Sequence, residues 1–338
     1  MRIVVDAMGS DTHPGPDVTG AVMAAREFGC EIILVGDESQ IQAELENQDT
    51  AGLTIQVVHA SQVIEMGDKP GEASRTKKDS SMHVGLRLVK DGQADAFVSA
   101  GNTGGILAVA TLHTLRRIRG VKRPALGVIF PIGERPMLID HGANTDCKPE
   151  YLLQFGMMGS LYVERLRKIT APRVALLSTG EEEGKGNQLI KDTIPLLAIS
   201  GLNFIGNIEP KEFVNGYADV AVTDGFTGNL VLKTAESVAS YMSAMIREEI
   251  KRGLITSVGG FLAQPAFSRV RKQLDPNEVG GAPLLGVNGV VIVGHGRSNA
   301  HAIRQAVGQA CSAVENDIVG AIREGLAHSE SSSEAPEP

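Results

Sequence analysis

Short, wholly apolar runs rich in β-branched residues alternate with longer stretches of helical periodicity almost from end to end. That alternation restricts this chain to a layered α/β fold. The runs are Ile3–Val5, Ile32–Val35, Thr54–His59, Ala96–Ser99, Leu126–Phe130, Met137–Ile139, Arg173–Leu177, Phe204–Gly206, Val220–Val222 and Val290–Val293. Several are apolar at every position, which predicts strands covered on both faces. Between them the periodicity predicts helices over Asp17–Phe28, Ser81–Asp91, Leu152–Leu166, Gly186–Ala198 and Asn229–Ile250. Strand and helix in alternation imply a largely parallel sheet with helices on both sides. No repeat or low-complexity linker divides the chain, so one catalytic domain is expected over 1–327, followed by a Ser, Glu and Pro tail over 328–338 that is expected to be disordered.

Composition removes several functional classes. The chain has 338 residues and a net charge of -8, which argues against nonspecific nucleic-acid binding, as do the absence of tryptophan and an aromatic content of 4%. Cys30, Cys147 and Cys311 are odd in number and widely spaced, as in a reducing compartment. The opening MRIVVDAMGS reads as a strand rather than a signal peptide, and no apolar run reaches the ~18 residues of a membrane span. These features together predict a cytoplasmic location.

In such sheets ligands bind beyond the carboxyl ends of the strands, so the loops that follow the strands carry the chemistry. Asp6 closes the first run. Ser99-Ala100-Gly101-Asn102-Thr103-Gly104-Gly105 follows another, and its glycines permit close backbone approach to an anion at the start of a helix. The same segment reads equally as a turn capped by Asn102 or Thr103. Asp140 to Asn144, Ser178 to Asn187 and Asp224 to Asn229 continue the series, and these loops are expected to converge at one sheet edge. Gly228 and Asn229 open a long helix. Lys185 stands among three glutamates and two glycines, placed either to cover a phosphate or to sit in a solvated loop. In Gly294-His295-Gly296-Arg297-Ser298-Asn299 the third glycine of a dinucleotide fingerprint is missing, which leaves Arg297 and Asn299 as anion-binding candidates. Asp140, His141, Asp146 and Cys147 fit no standard zinc spacing. No metal or cofactor is expected.

Two further segments suit surfaces rather than a cavity. Arg116, Arg117, Arg119, Lys122 and Arg123 form the densest cationic cluster, suited to an acidic partner or simply to a solvated helix end. Ser257–Gln273 places Val258, Phe261, Leu262 and Phe267 beside Arg269, Arg271 and Lys272. That pattern fits a membrane-surface segment or a subunit contact, with Pro265 predicted to break it into two short helices.

Seven segments in order carry a wider resemblance: VVDAMGSD, KKDSSMHVGLRLVKDGQADAFVSAGNTGG, LIDHGANTDCKPEYLLQFGMMGS, LSTGEEEGKGN, NIEP, VTDGFTGN and LLGVNGVVIVGHGRSN. Over nearly its whole length the chain resembles the phosphate acyltransferase family that uses acyl carrier protein. The resemblance implies a three-layer α/β/α, Rossmann-like fold with a mostly parallel sheet, similar to phosphotransacetylases and isocitrate dehydrogenase-like enzymes. It also implies a helical hairpin protruding over about 230–275. It further implies a homodimer, peripheral to the inner face of the membrane. Such an enzyme transfers a fatty acyl group from acyl carrier protein to inorganic phosphate, and the acyl phosphate serves glycerol 3-phosphate acylation in phospholipid synthesis. Lys185 and Asn229 match the family's catalytic positions. Ser10 stands where a glycine is expected, and His141 where an aliphatic residue is expected.

The chemistry makes modest demands. Phosphate dianion is already a nucleophile, and a thiol of pKa near ~8.5 leaves readily as its thiolate. The protein must position two partners and supply donors to an oxyanion. Asn102, Thr103 and Gly104 are expected to cradle phosphate, with Asp6, Ser99, Gly101, Asn144, Asp224, Gly228, Arg297 and Asn299 around the site. Rival readings are a coenzyme A-dependent transferase, a decarboxylating dehydrogenase of the same fold, and a non-catalytic scaffold binding acyl carrier protein.

Overall fold

The computed structural model describes residues 1–182 and 184–333. Its strands are β1 (Arg2–Asp6), β2 (Glu31–Gly36), β3 (Ile55–His59), β4 (Ala96–Ser99), β5 (Ala125–Ile129), β6 (Met137–Ile139), β7 (Val174–Leu177), β8 (Phe204–Ile208), β9 (Val220–Val222), β10 (Gly281–Leu285) and β11 (Val290–Gly294). They form one eleven-stranded sheet in the order β3-β2-β1-β4-β11-β10-β5-β6-β9-β7-β8.

The helices are α1 (Gly15–Phe28), α2 (Glu38–Leu45), α3 (Pro70–Thr76), α4 (Ser81–Lys90), α5 (Thr103–Ala108), α6 (Pro149–Arg167), α7 (Gln188–Ala198) and α8 (Pro210–Val214). They continue with α9 (Gly225–Lys251), α10 (Leu254–Leu274), α11 (Ala300–Glu315) and α12 (Ile318–Ser333). A π-helical turn, Val109–His113, extends α5.

Alternate strand residues enter different cores, as the pleat requires. Ile3, Val5, Ile32, Leu34, Ala96, Val98, Met137, Ile139, Val220 and Val222 belong to one continuous cluster on one face. Their neighbours reach the opposite face, where the core is divided. Val4, Ile33, Phe97, Leu126 and Val291 form one cluster there, and Val128, Leu138, Ala175, Ala221 and Leu232 form another.

The sheet is mostly parallel, as the sequence predicts, but its strands do not all run one way. Strands β3, β2, β1, β4 and β11 are mutually parallel, as are β6, β9, β7 and β8. Between these blocks, β11 meets β10, β10 meets β5 and β5 meets β6, each time antiparallel. Three reversals are an odd number, so the two parallel blocks run in opposite directions. The loop after β4 and the loops after β6, β7 and β9 therefore leave opposite edges of the sheet and do not converge at one edge. The cause is β10, GAPLL. A glycine and a central proline do not read as an interior strand, because proline offers no ladder N–H.

Two further expectations change. Pro265 lies inside the single helix α10, and the hairpin turns instead at Arg252–Gly253. Pro265 is exposed, so the carbonyl one turn back that loses its N–H partner is left to water. At the other end, α12 runs on through Ser333 into the tail expected to lack structure, and 334–338 lie outside the described residues.

Candidate functional site

The division in the second core is an open cavity of about 560 Å³. Leu126, Ala282 and Val293 wall it on one side, Val128 and Leu232 on the other. Gly101 and Thr103 enter from the start of α5, His141 and Gly142 from the loop after β6, and Asn229, Lys233 and Glu236 from α9. Asp11, His295 and Gly296 complete the polar side. Facing α5 and α9 descend from oppositely directed strand blocks, which is why loops from opposite edges meet over one face of the sheet.

The α5 entrance is built on buried polar groups. Asp6 is fully buried and accepts from Ser99 Oγ at 2.7 Å, while Ser99 Oγ accepts the Gly101 N–H at 3.1 Å. Burial pushes the Asp6 carboxyl up, against these hydrogen bonds. Asn102 is fully engaged: its Oδ1 caps α5 by accepting the Gly105 N–H at 2.9 Å, and its Nδ2 donates to the carbonyls of Glu65, Met66 and Asp68. Its side chain is therefore a cap and a tie to the 65–68 loop, not a free phosphate ligand. Gly104 packs on α3, where a Cβ would stand 2.6 Å from Pro70 Cγ. Of the expected phosphate cradle Asn102, Thr103 and Gly104, Thr103 lines the cavity, together with the neighbouring Gly101.

The α9 entrance hangs on Asp140. This carboxylate accepts five N–H donors: the amides of Leu126, Gly142, Ala143 and Asn144, and Asn144 Nδ2. Burial pushes its pKa up, against these donors, which favour the charged form. The network fixes the 140–144 loop, against which Gly228 packs so closely that a Cβ would lie 2.0 Å from the Asp140 carbonyl. Asp224 caps α9 through the Thr227 amide at 2.9 Å and also accepts Thr227 Oγ1 at 2.7 Å. Asn229 follows within the second turn, facing the cavity. Asn144 and Asp224 thus act on loop and helix geometry.

His141 and His295 both feel the charge of Lys233. Burial holds His141 down at about 4, assisted by the Lys233 charge, so its ring is neutral at physiological pH. Burial and then Lys233 also lower His295. Lys233 Nζ stands 3.0 Å from Glu236 Oε2 and 3.1 Å from His295 Nε2. Lys233, Glu236 and Asp11 escape sequence reading, because a charged residue in LVLKTAE reads as the wet face of a helix until β11 brings its turn over it.

Other expected site residues lie elsewhere. Lys185, on the loop after β7, is exposed; its side chain crosses Gly180 and does not line this cavity. Glu183 of the same loop lies outside the described residues. Arg297 and Asn299 are exposed beside the cavity, with Asn299 capping α11 through the Ala302 amide at 3.0 Å. Cys30 and Cys311 are buried, and burial pushes the Cys147 thiol up to about 12.

A second, larger cavity of about 790 Å³ opens next to the first, sharing α5 and the 140–144 loop as walls. Arg116, Arg117, Arg119, Lys122 and Arg123 all line it, with Leu107, Ala143, Asn144 and Tyr151. None of the five cations forms an ion pair among the described residues. In α10, which lines neither cavity, no described side chain is buried, and Phe261 and Leu262 are each 74% exposed, with Val258 and Phe267 also exposed. No helix among the described residues is long and apolar enough to cross a membrane.

Comparison with known proteins bears on the family and the fold. Residues 1–320 match the family model described as fatty acid synthesis protein. A phosphate acyltransferase of Pelotomaculum thermopropionicum is 47% identical over 96% of this chain and 95% of its own. Among solved structures, a phosphotransacetylase from Streptococcus pyogenes shares the fold at a TM-score of 0.61 and 17% identity, covering 94% of each chain. A 4-hydroxythreonine-4-phosphate dehydrogenase from Klebsiella pneumoniae does so at 0.53 and 13%, covering 93% of this chain and 99% of its own. Near-full-length identity of this order, on a fold that phosphotransacetylases share, places the chain in the phosphate acyltransferase family.

Proposed function

We propose that this chain moves a fatty acyl group from the thioester of acyl carrier protein to inorganic phosphate, releasing an acyl phosphate for phospholipid synthesis. The observation that carries the reading is the cavity between α5 and α9: an apolar floor of Leu126, Val128, Leu232 and Val293 beneath Thr103, Asn229 and Lys233. Such a floor accepts an alkyl chain, and the polar groups accept its carboxyl end with phosphate.

In the proposed reaction a phosphate oxygen attacks the thioester carbonyl, the carbon–sulfur bond breaks, and the proton of the monohydrogen phosphate ends on the released thiol. Asn229 donates to the oxyanion, a contact worth roughly 3–4 kcal/mol of barrier. Lys185, implied by the family resemblance, is the second catalytic residue of the proposal, although its loop after β7 stands outside the cavity lining. Attack is direct rather than through a cysteine, since a Cys147 thiol pushed up to about 12 gives little thiolate at neutral pH.

Acyl carrier protein docks in this proposal on the unpaired Arg116–Arg123 cluster, which adjoins the reaction cavity along α5. The protein works as a homodimer at the inner face of the cytoplasmic membrane, touching lipid with Val258, Phe261, Leu262 and Phe267. A glycerol 3-phosphate acyltransferase consumes the product.

The test is phosphate-dependent release of free acyl carrier protein from its palmitoyl thioester, with hydroxylamine trapping of the product. Release that needs phosphate and yields a hydroxamate supports the reading. Release without phosphate, or none from folded protein, refutes it.

A further inference from the structure

A phosphate entering the reaction cavity brings two negative charges to a wall that already carries Asp11 and Glu236. Among the described residues lining that wall there is one lysine, Lys233, and no arginine. Lys233 lies four positions after Asn229 on α9, hence on the same helix face one turn along. An uncompensated dianion in a partly enclosed site is costly, so the position of this cation decides where phosphate can rest.

The surroundings of Lys233 point to an anion as well. Both nitrogens of His295 face N–H groups: Nδ1 the Arg297 amide at 3.2 Å, Nε2 the Lys233 ammonium at 3.1 Å. A neutral imidazole has one lone-pair nitrogen and can accept from only one of them. With Nδ1 accepting the Arg297 amide, the ring proton sits on Nε2 and points at the ammonium, donor against donor. An oxyanion seated beside the pair relieves that conflict, because it accepts from Nζ–H and Nε2–H together as the two nitrogens part from their 3.1 Å approach. Glu236, whose Oε2 accepts from the ammonium at 3.0 Å, holds Lys233 in place.

Resting on the transferase reading above, we propose that Lys233 and His295 form the binding site for the phosphate co-substrate, with Glu236 as the residue that positions Lys233. The loop after β4 and Asn229 then act on the acyl carbonyl side of the same cavity. Two charge-assisted hydrogen bonds of this kind are strong enough that losing one weakens anion binding by about 10- to 100-fold.

The experiment is calorimetric titration of the full chain with inorganic phosphate, without any acyl donor, for the parent, Lys233→Met, Lys233→Arg and His295→Gln. Thermal melts of each variant check folding. Lys233→Met is expected to weaken phosphate binding about 10- to 100-fold, His295→Gln by about 10-fold, and Lys233→Arg least, since the charge is kept. In steady state, Lys233→Met should raise KM for phosphate while KM for the acyl donor stays within about twofold. Unchanged phosphate affinity in Lys233→Met, or no binding by the parent at tens of millimolar, would each overturn the assignment. Should the parent bind phosphate through Lys233 yet release no thiol from acyl carrier protein, the transferase reading fails and the anion site stands.

Discussion

Asp17 lies wholly buried in the first turn of α1, accepting Ser10 Oγ at 2.6 Å through one oxygen while the other has no partner. Burial lifts its pKa to about 8, well above the ~3.9 of an unfolded aspartate. The folded state therefore holds a proton between about pH 4 and 8 that the unfolded chain has given up, and stability falls across that window as pH rises. Denaturant midpoints should decline by no more than the equivalent of about 1.4 kcal/mol per pH unit. Asp17→Asn, which mimics the neutral acid, should flatten the decline. Ser10 is the partner that a glycine would lack, so the sequence departure there has a local use. At the cavity, Asn229→Ala is expected to lower kcat about 10²- to 10³-fold with little change in melting temperature, read from turnover and calorimetry together. Single residues were unevenly legible. Asn229 declared itself by following a capped glycine turn, whereas Lys233 looked like helix surface and Asn102 like a ligand until its four hydrogen bonds were traced.

Helix α9 does two things along its length. Its first turns are seated on the 140–144 loop, and Gly228 is what permits that contact, so Gly228→Ala must push α9 away from the Asp140 carbonyl. A loss of about 1–3 kcal/mol in unfolding free energy is expected, with kcat falling because Asn229 moves along. Beyond Leu232 no residue of α9 is buried, and α10 returns alongside it with Leu254, Ile255, Phe261 and Leu262 open to solvent. A continuous apolar strip of this kind meets a lipid surface or another protein. Phe261→Glu with Leu262→Glu should abolish sedimentation with anionic vesicles and leave turnover of dispersed substrate unchanged. If vesicle binding persists, the hairpin is not the lipid contact. The apolar spacing of this segment was readable in advance. Its continuity was not, since a proline weighs against a helix by about 3 kcal/mol, and only exposure of the freed carbonyl lets α10 run through.

The molecule as a whole is acidic at -8, yet it gathers around one cavity, beside the cavity between α5 and α9, five cations that form no ion pair among the described residues. Charge separated in this way steers an acidic partner to one place. Arg116→Glu with Arg117→Glu should raise KM for the carrier-borne donor at least ~10-fold and flatten its salt dependence, with kcat little changed. Layering and most strands were legible because fully buried parallel strands leave unbroken β-branched runs. The opposed directions of the two strand blocks were not, since they depend on β10, whose five residues carry no such signature. That strand has a consequence for the growing polypeptide. Val290–Val293 pair with β4, and Leu284 and Leu285 pair with β5, some 160 positions back along the chain. Until a ribosome has made residues 281–294, β4 and β5 are bare apolar edges and the two halves have no seam. Nascent chains of this protein pass through a stage in which the largest part is made and nothing holds it shut, the stage at which a chaperone would find the most to cover.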